Sequence, residues 1–100
     1  MTYESGSLDA TLSAAAGNDP ALLRELRDAF IQSVARQVDL LERSRRDGNW
    51  RIAAMRLKGL AASFHASELL GLAEAALVAA PGEPTVVRAL QRFVSGFSTD

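Results

Sequence analysis

The chain has no cysteine, one histidine and one lysine. Without cysteine there is no disulfide, no thiolate metal site and no cysteine nucleophile. The single histidine, His65, excludes every multi-histidine zinc pattern and leaves one imidazole for chemistry. A net charge of −1 lacks the basic surplus usual in nucleic-acid binders. No apolar run approaches the roughly 18 residues that a membrane span needs, so no membrane partner is expected. Residues 1–6 lack the basic and apolar regions of a signal peptide, and a cytoplasmic address is expected. Gly48 and Gly82 stand alone, so no loop cradles phosphate and no cofactor is expected. The serines have no readable His–Asp partners, and paired-carboxylate catalysis by Glu68 and Glu74 has no other support.

What is present is helical. Alanine supplies 18 of the 100 residues, and β-branched residues are too scattered for strands. One hundred residues suffice for a single domain with a single core. Residues 7–16 form a short first segment, which Ser7 can cap and Gly17 can end. Asp19 and Pro20 open a second helix that extends to about Arg46. Its stripe of Leu23, Leu26, Phe30, Val34, Val38 and Leu41 steps by three or four. A third helix spans about 49–64, and a fourth starts near Ser67 with a run reaching Ala80. A fifth follows Pro84 with Val86, Val87, Leu90, Phe93, Val94 and Phe97. The predicted fold is all-α: an antiparallel up-and-down four-helix bundle with a short additional N-terminal helix. Residues 1–6 and 98–100 are expected to fray.

The third helix is unusual. At 100° per residue, Ala53, Leu57, Leu60, Ala61 and Phe64 gather on one side, the core face. The opposite side carries Arg51, Met55, Lys58, Gly59, Ala62 and Ser63. A solvated face ordinarily holds Glu, Lys, Arg or Gln, yet the centre here is Met, Gly and Ala. Gly59 costs the helix about 1 kcal/mol relative to Ala. Small residues flatten a helix, and an unbranched Met suits an adaptable protein contact. One reading packs Met55, Gly59 and Ala62 against another helix of the same bundle. The other leaves them free to meet a partner.

The run Ala54-Met55-Arg56-Leu57-Lys58-Gly59-Leu60-Ala61-Ala62-Ser63-Phe64 resembles the signature of histidine phosphotransfer (HPt) domains. Asp19-Pro20 before a Leu-rich helix, Phe30-Ile31 within it and Asn49-Trp50 opening the motif helix resemble that family too. The resemblance implies a helical module that passes phosphoryl groups between receiver domains in two-component phosphorelays. It implies a receiver domain of a response regulator, or a hybrid histidine kinase, as partner. It also assigns Lys58 to the lysine that stabilises phosphoryl charge.

The pattern departs from the family where the chemistry lies. The phosphoacceptor His three residues before the Lys is Met55 here, and a thioether has no nitrogen lone pair to accept phosphoryl. No enzymatic activity is expected. His65 is the one alternative imidazole, ten residues on, which is about 15 Å along a helix. Its wheel angle differs from that of Met55 by about 80°. A turn role suits His65, because His tolerates the left-handed conformation better than most residues. The cations Arg43, Arg45, Arg46 and Arg51 either complement a helix end or steer an acidic receiver pocket. Three functions stay open: a docking module that takes no phosphate, a phosphotransfer protein using His65, and a homo-oligomerisation bundle.

Overall fold

The order of caps and apolar stripes reappears as five α-helices, with no strand among the described residues. The structure is a computed structural model and describes residues 5–44 and 47–98. The helices are α1 (Ser5–Ala16), α2 (Pro20–Arg43), α3 (Asp47–Ser63), α4 (Ser67–Val78) and α5 (Pro84–Ser98). No helix is long and apolar enough to cross a membrane among these residues.

Local chemistry explains most boundaries. The Asp19 carboxylate accepts the N–H groups of Ala21 and Leu22 at 3.0 and 3.3 Å, with Pro20 in the first turn of α2. Gly17 closes α1 at φ 67°. Ser44 leaves the helical region at ψ 127° and returns its hydroxyl to the Leu40 carbonyl at 2.6 Å. That ends α2 at Arg43, short of the expected Arg46; Arg45 and Arg46 lie outside the described residues. The Glu83 carboxylate accepts the Thr85 N–H at 3.1 Å and starts α5.

Other expected edges shift. Helix α1 opens at Ser5, so Ser7 lies inside it and caps nothing; its hydroxyl donates to the His65 carbonyl at 2.7 Å. Ser5, Gly6 and Ser98 are helical rather than frayed, while residues 1–4 and 99–100 lie outside the described residues. Helix α3 begins at Asp47, two residues early, and α4 ends at Val78, before Ala80.

Packing follows the stripes. Helix α2 lies against α3, α3 against α4, α4 against α5, and α5 returns to α2; α1 lies on α2. Phe30, Val34, Val38 and Leu41 are buried in α2, and Leu23 and Leu26 are half-buried against the core. Ile31 joins the core as well, because α2 meets helices on more than one side. Leu69, Ala73 and Ala76 of α4 and Leu90 and Phe93 of α5 complete it. Phe30 touches Phe64 and Phe97 with ring centroids 4.9 and 5.6 Å apart, joining α2 to the end of α3 and to α5. Arg27 lies 4.5 Å over the Phe97 ring and pairs with Asp9 of α1 at 2.9 Å.

Trp50 locks the start of α3 to the end of α4. It is 2% exposed, and its indole N–H donates to the Ala76 carbonyl at 2.7 Å. Replacing Trp50 with Phe removes that donor and part of the buried ring. The expected loss is about 1–3 kcal/mol of unfolding free energy, measured by urea titration followed by circular dichroism.

Candidate functional site

Helix α3 is covered on one side and bare on the other. Trp50, Ala53, Ala54, Leu57 and Ala61 are buried, and Leu60 and Phe64 are half-buried. Trp50 and Ala54 thus extend the expected core face toward α4, where the small Ala54 permits close packing.

The other side carries the residues singled out from the sequence. Met55 is 48% exposed, and Arg51, Gly59, Ala62 and Ser63 are exposed. Lys58 is half-buried at the edge of this face. A Cβ built on Gly59 meets nothing within 4 Å. The reading in which Met55, Gly59 and Ala62 pack against a helix of the same bundle is therefore overturned: α2 and α4 take the opposite side of α3. Nothing inside the described fold requires Gly59 to lack a side chain.

The structure enlarges the face. Ile52, one turn before Met55, is 51% exposed, and Leu40 of α2 is 40% exposed. Both line a cleft of about 770 Å³ with Arg43, Ser44, Asn49, Ala53 and Arg56. Ile52 was readable from the sequence, since it stands three residues before Met55 on the same face. Leu40 was not, because only the α2–α3 packing brings it there.

Charge is unevenly distributed along the sequence. Residues 43–67 hold six of the eleven cations, with Asp47 the one acid among them. The remaining chain is strongly acidic, so a net charge of −1 conceals two opposed regions. No acid stands within ion-pairing distance of Arg51, Arg56 or Lys58 among the described residues. Exposed cations flanking an apolar stripe favour an acidic partner.

His65 is exposed and sits in the turn after α3 at φ 57°. Its N–H bonds to the Ala62 carbonyl at 3.3 Å, and the Ala66 N–H bonds to the Ala61 carbonyl at 2.8 Å. This paired pattern around a left-handed residue is a Schellman motif, and it terminates the helix. His65 therefore holds a turn position, separate from the Met55 stripe. Among the described residues, no group of three His, Cys, Asp or Glu side chains could hold a metal ion.

No family model, curated protein or solved structure matches this chain.

Substitutions at two positions check this geometry. Gly59→Ala is expected to raise stability by about 1 kcal/mol, since the added methyl improves helix propensity and meets open space. His65→Gly is expected to raise it by up to about 1 kcal/mol through relief of the left-handed backbone, while His65→Val lowers it. Thermal or urea unfolding of the three variants reads both effects.

Proposed function

We propose that this chain is an HPt-like signalling module that docks a receiver domain, of a response regulator or a hybrid histidine kinase, without accepting phosphate. One observation carries the reading: the stripe of Met55, Gly59 and Ala62 is open to solvent on a helix whose other side is buried. The closed sequence of contacts from α2 through α5 back to α2 supports an antiparallel up-and-down four-helix bundle beneath that stripe. The cytoplasm is the matching address for a receiver-binding module.

The chemistry separates docking from transfer. A receiver's phosphorylation pocket is acidic, and Arg51 and Lys58 place positive charge beside the stripe. Lys58 is the point charge that an HPt site uses to stabilise phosphoryl oxygens. Met55 supplies no lone pair on nitrogen and no proton to exchange, so a phosphoryl group brought there has no acceptor. A module of this kind competes with active phosphotransfer proteins for a receiver, or holds a receiver in one state. His65 does not favour transfer, because it stands ten residues from Met55 in a helix-ending turn. Self-association through the stripe is the second outcome that the test below separates.

Calorimetry against the receiver domains of the source organism is expected to find saturable binding to at least one. Ala62→Arg, which places a long side chain on the stripe, is expected to weaken it about tenfold or more. Incubation with a phosphorylated receiver is expected to leave the chain unlabelled, and Met55→His to create acid-labile label. Absence of binding across the whole receiver set overturns the docking reading. Label on the unmodified chain that disappears in His65→Ala overturns the non-transfer reading. A concentration-dependent mass abolished by Ala62→Arg, without receiver binding, assigns the stripe to homo-oligomers instead.

A further inference from the structure

The cleft between the end of α2 and the start of α3 adjoins the Met55 stripe at Ile52, and the receiver reading does not use it. Its walls combine two features seldom left together in water. Leu40 and Ile52 are large aliphatic side chains at 40% and 51% exposure. Arg43 and Arg56 line the same cleft, with Asn49 as a neutral donor and acceptor. Ser44 is already satisfied, because its hydroxyl donates to the Leu40 carbonyl.

We propose that this cleft binds an acidic amphipathic peptide segment of a partner protein. One aliphatic side chain of that segment seats against Leu40 and Ile52, and flanking carboxylates pair with Arg43 and Arg56. The two flanks of α2 supply the charge argument. Asp39 and Glu42 line a separate groove toward Gln91 and Val94 of α5, whereas Arg43 lines the cleft toward α3. Arg43 already meets Asp39 at 2.8 Å, but it stays 68% exposed and its fork has further N–H donors for a second carboxylate. Arg56 has no acid within ion-pairing distance among the described residues. Guanidinium groups recognise planar carboxylates in a bidentate way, and the aliphatic walls require an apolar complement.

A nucleic-acid strand fits less well. Its phosphates leave Leu40 and Ile52 uncovered, and the acidic remainder of the chain repels it. An anionic bilayer meets the same repulsion, and a concave cleft presents its aliphatic side chains poorly to a flat surface.

The test selects a random peptide library displayed on phage with the intact chain, then measures the enriched peptides by fluorescence anisotropy. Enriched peptides are expected to carry Asp or Glu within one turn of Leu, Ile, Val or Phe. Arg56→Glu and Ile52→Ser are each expected to weaken them about tenfold or more, and added salt to weaken them further. Both side chains are exposed, and circular dichroism verifies that each variant folds. Arg88→Glu on α5 is the surface-charge control, and Ala62→Arg, about 15 Å along α3 from Ile52, the stripe control; both are expected to leave peptide binding intact. Peptide affinity kept in Ala62→Arg, the variant expected to weaken the receiver, distinguishes this result from receiver docking. Enrichment of neutral or basic peptides, no enrichment, or affinity unchanged in Arg56→Glu and Ile52→Ser overturns the proposal. So does binding of single-stranded oligonucleotide or anionic phosphatidylserine vesicles that the two variants abolish while no peptide binds.

Discussion

A single helix cannot turn the same face both inward and outward, and α3 is where this fold depends on that constraint. Trp50 sets its rotation. The indole is buried and spends its one donor on the Ala76 carbonyl at the end of α4. With that end held, Ala53, Ala54, Leu57 and Ala61 follow into the seam with α2 and α4. The alanines permit close packing, and Leu57 fills the centre. Any rotation that brought Met55 inward would expose Leu57 and strip the indole of its partner. The outward placement of Ile52, Met55, Gly59 and Ala62 is thus a consequence of core packing.

The two ends of α3 are held by different physics. At its start the anchor is an aromatic ring and one hydrogen bond. At its end His65 takes the left-handed conformation, and the Ala61 and Ala62 carbonyls are satisfied by Ala66 and His65. The Ser7 hydroxyl then ties α1 to the His65 carbonyl, so the short first helix is joined to this turn. The chain's one imidazole belongs to a structural turn. The exposed side of α3 carries cations, small residues and a thioether instead.

Charge and hydrophobicity are distributed so that one region is both basic and apolar. Leu40 and Ile52 meet in a cleft lined by Arg43 and Arg56, and the Met55 stripe continues along α3 between Arg51, Lys58 and Ser63. In isolation neither feature is unusual, since single exposed apolar residues are common. Here they converge on adjoining parts of α3 and the end of α2, in a stretch of sequence richer in cations than the rest.

Much of this was legible beforehand. Asp19-Pro20, Gly17 and Pro84 mark turns because their side chains or rings act within a few residues, and such local chemistry needs no tertiary context. The α2 stripe was legible for the same reason: a 3.6-residue period is a property of the chain. Ser7 and the Arg46 boundary misled, because a capping-type residue can instead bond across 58 positions and Ser44 can leave the helix early. The sequence alone determined an all-helical chain, the separated faces of α3 and the lack of a nucleophile at Met55. Only the tertiary structure decided that the Met55 face meets solvent, and that Leu40 joins Ile52 and two arginines in one cleft. The reason is physical: periodicity assigns residues to a face of their own helix, but which face is covered depends on where the neighbouring helices pack.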